Sequence, residues 1–164
     1  MKKWINQVHQ AKFRDMEPIY GVILDYDADW MLMRALSDYQ VDGYVIFRSK
    51  GLKDFSRTSR EKWAEKVLKR KYGTRLKSPK IPLTDLESIL KALTKKYGVF
   101  TLRTKDPSVC WLGRFKSIDS KHLVIDDLTP RAKWEGTFQF KISEIRAIEF
   151  DNDYTNSLKL MMKK

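Results

Sequence analysis

The chain has 164 residues, with 33 Lys and Arg against 21 Asp and Glu, for a formal charge of +12. Its hydrophobic content of 42% and aromatic content of 12% argue for a packed core and against wholesale disorder. The longest apolar runs are four residues, so no membrane-spanning helix is expected. Lys2 and Lys3 are followed by no apolar stretch, so no secretory leader is expected either. Cys110 is the lone cysteine, which excludes an internal disulfide and suits a reducing, cytoplasmic setting.

Residues 19–26 read as a strand, 27–29 as an acidic turn, and 30–36 as a second strand that is apolar on both faces and must be covered on both. A polar loop is expected over 38–43, a third strand over 44–48 and a short fourth over 52–55. Thr58 or Ser59 caps a predicted helix that ends at Tyr72-Gly73. Its apolar stripe is Trp63, Val67 and Leu68, and its other face carries Arg60, Lys62, Lys66, Lys69, Arg70 and Lys71. Two prolines make 74–82 a linker. Thr84-Asp85-Leu86-Glu87 reads as a capping box for a second helix with Leu86, Ile89, Leu90 and Leu93 on one face. Residues 99–103 read as a strand, and 109–150 as strand-rich.

The charge is local. Residues 48–80 hold 13 basic and 3 acidic side chains, whereas 1–47 hold 5 and 7, and 81–164 hold 15 and 11. A basic block of this kind is the electrostatic footprint of a polyanion-binding surface or, more plainly, a solvated helix face.

The chain also repeats itself. Gly21, Asp27, Leu36, Asp42-Gly43, Phe47, Leu52 and Phe55 are matched by Gly113, Asp119, Leu128, Glu135-Gly136, Phe140, Ile145 and Ile148, at an offset of 92 and then 93 residues. Each copy would hold four or more short antiparallel strands, which need strong bending or stacking to hide their edges.

On these residues each copy resembles an Sm-like, or more broadly SH3-like, small β-barrel. Gly21, Asp27 and Trp30-Met31-Leu32, and again Gly113, Asp119 and Leu123-Val124-Ile125, follow that family's first motif. Phe47-Arg48-Ser49-Lys50-Gly51-Leu52 and Phe140-Lys141-Ile142-Ser143-Glu144-Ile145 follow the spacing of its second. The family reads uridine with an Asn in the first motif and an Arg-Gly pair in the second. Met31 and Leu123 stand at the Asn position, and Ser49 and Ile142 follow Arg48 and Lys141. The resemblance therefore implies a fold and does not carry over uridine reading or ring assembly.

The expected architecture is mainly β: a first small barrel over 1–56, a basic two-helix linker over 57–98 and a second small barrel over 99–164. Little chemistry is legible. Asp25, Asp27 and Asp29 alternate, but Trp30 and Leu36 stand where a calcium loop needs Gly and Glu. Cys110, His9 and His122 have no zinc-ligand spacing, so no metal or cofactor is expected, and Cys110 reads as a buried structural thiol. No nucleophile, acid or base cluster indicates an enzyme. The leading expectation is a non-enzymatic nucleic-acid-binding module, for RNA, using Arg48, Arg60, Lys62, Lys66, Lys69, Arg70, Lys71, Arg75 and Lys77. Tyr39 and Trp134, in matching loops of the two copies, are candidate ligand-stacking residues. The alternative is a protein-interaction adaptor in which the basic helix docks an acidic partner or an edge strand pairs with a peptide.

Overall fold

The computed structural model describes residues 2–162. The first half contributes five strands, β1 (Val8–Phe13), β2 (Ile19–Tyr26), β3 (Trp30–Ser37), β4 (Gln40–Arg48) and β5 (Leu52–Ser56). Two helices follow, α1 (Ser59–Tyr72) and α2 (Leu86–Tyr97). The second half contributes β6 (Phe100–Thr104), β7 (Cys110–Ile118), β8 (His122–Leu128), β9 (Trp134–Lys141) and β10 (Ile145–Phe150), and ends in α3 (Asp153–Met161).

The protein is mainly β, but its ten strands form one open antiparallel sheet rather than two closed barrels, in the order β5-β1-β2-β3-β4-β10-β6-β7-β8-β9. The halves join where β4 pairs with β10, in the register Phe47↔Ala147, Ile46↔Ile148, Val45↔Glu149 and Tyr44↔Phe150. Each half left open on its own would expose β4 or β10 as an unpaired apolar edge, and pairing the two strands satisfies both.

The sequence repeat is a repeat of geometry. Each half runs fifth-first-second-third-fourth across the sheet. Register shifts fall between Ile23 and Asp25 and between Arg34 and Leu36 in the first half, and at Phe115/Ser117 and Asp126/Leu128 in the second, each pair 92 residues apart. A one-turn 3-10 helix joins the fourth and fifth strands of both halves, Ser49–Gly51 and Ile142–Glu144. The Asp27 amide donates to the Trp30 carbonyl as the Asp119 amide does to that of His122. At Gly21 a Cβ would collide with the Arg34 carbonyl, and at Gly113 with that of Asp126. The two glycines mark the same crossing of bent strands, where no side chain fits. Gly43 and Gly136 share a φ of +67°, in the left-handed region.

The core spans both halves. Val22, Leu24, Trp30, Leu32 and Ile46 of the first join Phe100, Leu102, Leu123, Ile125, Phe140 and Ile148 of the second in one buried cluster. Leu86, Ile89, Leu90 and Leu93 of α2 fill it, with Leu68 of α1 and Ile81 and Leu83 of the linker. The opposite face of the first half is sealed by Phe13, Ile23, Met31, Met33, Val45 and Phe47. Strand β3 is thus covered on both faces, as its sequence requires. A third, smaller cluster under α3 holds Val99, Leu112 and Leu128.

Three local expectations are corrected. The segment 38–43 is not a loop: the turn is confined to Asp38 and Tyr39, and β4 begins at Gln40. The cap of α2 is Asp85 rather than Thr84, because the Asp85 carboxylate accepts from the Ser88 amide (2.8 Å) and hydroxyl (2.8 Å). Strand β1 and helix α3 were not expected at all. Among the described residues no helix is long and apolar enough to cross a membrane.

Gly113→Val is expected to lower unfolding free energy by roughly 1–3 kcal/mol or more, as overpacking does. Gly21→Val should do the same, whereas Gly51→Ala, where a Cβ meets only the Phe13 ring at an ordinary 3.6 Å, should cost less. Urea denaturation of the three variants checks the ranking.

Candidate nucleic-acid interface

Helix α1 begins where the chain leaves β5. The Thr58 hydroxyl and amide both donate to Glu61 Oε2 (2.5 and 2.7 Å), and the Arg60 amide donates to Thr58 Oγ1 (3.3 Å). This box closes the first turn. The inward face of the helix is Glu61, Ala64, Glu65 and Leu68, all buried. Glu65 Oε2 accepts from the Val8 amide of β1 (3.2 Å) and from Arg57 Nε (2.9 Å), and it meets Arg57 Nη2 at 2.8 Å. A buried carboxylate with these three partners ties the helix to the edge of the sheet.

That tie rotates the helix away from its expected orientation. Trp63 was expected in the core with Val67 and Leu68, but it is 59% exposed. Its indole sits on the outer face with Lys62, Lys66, Lys69 and Arg70, which are all exposed. Lys69 lies 3.8 Å from Glu65, and Lys62, Lys66 and Arg70 make no ion pair among the described residues. Arg60 lies over the Tyr20 ring at 5.3 Å, and Lys71 Nζ donates to the Tyr39 carbonyl (2.7 Å). Beyond the helix, Arg75 and Lys77 are exposed, while Ile81 and Leu83 anchor the same linker in the core.

Arg48 belongs to a different surface. It ends β4 at the seam between the halves, with its guanidinium 4.9 Å from the Trp30 ring centre and a buried Nε that has no partner. It borders two adjoining cavities. One, of about 480 Å³, is lined by Arg14, Asp15, Lys50 and Arg146 among others. The second, of about 410 Å³, is lined by Lys121, His122 and Lys141. Arg48 and Ser143 line both. Asp15 is already taken: Arg146 Nε and Nη2 donate to its carboxylate at 3.2 and 2.9 Å, which holds it below the ordinary carboxylate range. Arg14, Arg48, Lys50, Lys121 and Lys141 make no ion pair among the described residues. The seam cleft is therefore cationic and built from both halves. Sequence reasoning found only Arg48 here. Lys141 occupies the matching place 93 residues later, which was the available signal.

The loop aromatics divide. Tyr39 is exposed at its turn, close to the last turn of α1. Trp134 is half-buried against the cluster under α3, and the Arg114 guanidinium covers one face of its ring at 4.1 Å. Cys110 is exposed rather than buried. No group of three His, Cys, Asp or Glu side chains among the described residues could hold a metal ion.

His9 of β1 is buried, stacked on Phe55 with ring centres 4.4 Å apart, and burial is the first cause holding its pKa below the ordinary imidazole value. The unfolded chain therefore binds the extra proton more readily. Stability from a neutral His9 is complete above about pH 6.5 and is lost as pH falls below it. The expected outcome is that the wild type loses stability between pH 7 and pH 5 relative to His9→Phe, read from paired chemical melts.

The chain matches no family model, no curated protein and no solved structure.

Proposed function

We propose that the protein is a non-enzymatic nucleic-acid-binding module that holds single-stranded RNA on the outer face of α1 and the adjoining linker. The observation that carries this reading is the exposed indole of Trp63 among Lys62, Lys66 and Arg70, which pair with no carboxylate among the described residues. A stacking ring set in a cationic field is what a strand needs: phosphates meet the cations and a base covers the ring. Lys69, Arg75 and Lys77 extend the same positive surface, and Arg60 and Lys71 flank it. In this reading the seam cleft at Arg48 is a second, separate cationic place for the polyanion.

The reading extends to the fold. Each five-strand half is interpreted as a small bent unit of the Sm-like kind, supported by the recurring strand order and the 3-10 turn at the same place in both halves. Recognition is expected to be indifferent to base identity, because Met31 and Leu123, at the family's base-reading position, are buried apolar side chains.

Fluorescence anisotropy with a mixed-sequence RNA tests the proposal. If six to eight cations meet phosphates, log affinity falls with log salt at a slope of roughly −4 to −7. Reversing charge at Lys62, Lys66 and Arg70 together should flatten that slope by about 2 to 3. Trp63→Ala should weaken binding by about 1–3 kcal/mol and leave the slope unchanged. Absence of binding at about 50 mM salt, where the counterion-release term is strong, overturns the reading.

A further inference from the structure

One cavity runs against the charge of the whole molecule. It has a volume of about 520 Å³ and lies among the start of β7, the β8–β9 turn, β10 and the first residues of α3. Its lining includes two carboxylates, Asp127 and Glu149, and no Lys, Arg or His. In a chain with 33 basic residues among 164, that is a local inversion of sign. Glu149 is partly engaged, with Oε1 at 3.3 Å from Arg103 Nε. The Asp127 carboxylate makes no hydrogen bond or ion pair among the described residues, and Glu135 adds to the negative field around it. Burial raises the pKa of both carboxylates, so both would gain from a cationic neighbour.

The rest of the wall is aromatic and apolar. The Trp111 and Phe138 ring centres are 4.3 Å apart and their planes are inclined at 60°. Tyr154, at the start of α3, is 53% exposed and borders the same cavity. Leu112 and Leu128 also line it. Ring faces attract cations through their quadrupole, by about 0.5–2 kcal/mol each depending on desolvation. The volume falls inside the range of about 300–1,000 Å³ usual for small-molecule sites. An anion would meet two carboxylates here, and a neutral polar ligand would leave the rings unused.

From this geometry we propose that the cavity binds a small organic cation, an ammonium carried on an apolar body, with the charge held by the unpartnered Asp127, Glu149 adding to the negative field of the wall, and the body against Trp111, Phe138 and Tyr154. This site is separate from the cationic surface of α1 and does not rest on the nucleic-acid reading.

Titration of the intact, 15N-labelled chain by NMR tests it, with phenethylammonium as the probe and 2-phenylethanol and phenylacetate as its neutral and anionic counterparts. The ammonium should bind saturably and shift amides in 101–112, 127–130 and 149–154. It should bind at least about tenfold more tightly than the alcohol, and phenylacetate should be weakest. Asp127→Asn with Glu149→Gln should reduce the ammonium to the alcohol's affinity while leaving the alcohol's affinity unchanged, which also shows that the cavity is intact. Should the double variant misfold, Asp127→Asn alone carries the same comparison, because that carboxylate has no partner to lose. Equal binding of ammonium and alcohol, shifts confined to other surfaces, or no saturation at millimolar probe would each overturn the proposal.

Discussion

The pairing of β4 with β10 is the constraint on which the molecule depends. Four residue pairs in the middle of the sheet convert two short, strongly bent five-strand units into one continuous layer. A unit of that size on its own has two edges and little core. Joined, the halves lose one edge each and share a cluster that neither could bury alone. Ile46 and Ile148 are paired across the seam and lie at its centre, under Ile89, Leu90 and Leu93 of α2. The seam is latched from outside as well. The Asp153 amide at the start of α3 donates to Asp42 Oδ1 of β4 (2.8 Å), and Asn152 sits where a side chain on Gly43 would have to go.

The same seam accounts for the separation of the cationic surfaces. Arg48 is twelve residues from Arg60 in sequence, yet it opens into a cleft bounded by the second half's loops, while Arg60 starts a helix on the first half's outer strands. The cleft exists because two matching turns, Ser49–Gly51 and Ile142–Glu144, are brought side by side when the units join. Either half alone would contribute only part of its lining.

Much of the fold was legible because the repeat is written in residues with hard steric requirements. Gly21 and Gly113 cannot be anything larger, and their spacing survived where most side-chain identity did not. The amphipathic pattern of α2 and the doubly apolar run at Trp30 were legible for the same reason. What failed were places where polar residues do a core residue's work. Glu61 and Glu65 face inward because a cap and a strand amide need a carboxylate, and a hydrophobic-periodicity argument assigns glutamates to solvent and so turned Trp63 inward. Strand β1 was hidden because His9, Gln10 and Lys12 interrupt its apolar positions, and His9 fills a core place by stacking on Phe55. Of the candidate site, the basic helix face was legible from charge counting. The seam cleft was not, because Arg14, Lys121 and Arg146 converge only once the sheet is assembled.

An open sheet of ten strands ends in two exposed rims, and they are unlike. The β5 rim is five residues long and carries Lys53 and Asp54. The β9 rim is eight residues long, presents Phe138, and has only Glu135 and Lys141 as charged residues. Such a rim is a template for another chain's backbone. In dilute buffer the surplus of positive charge holds copies of the molecule apart. A polyanion bound as proposed would remove the repulsion that shields the β9 rim, and would then couple colloidal stability to occupancy of the basic surface.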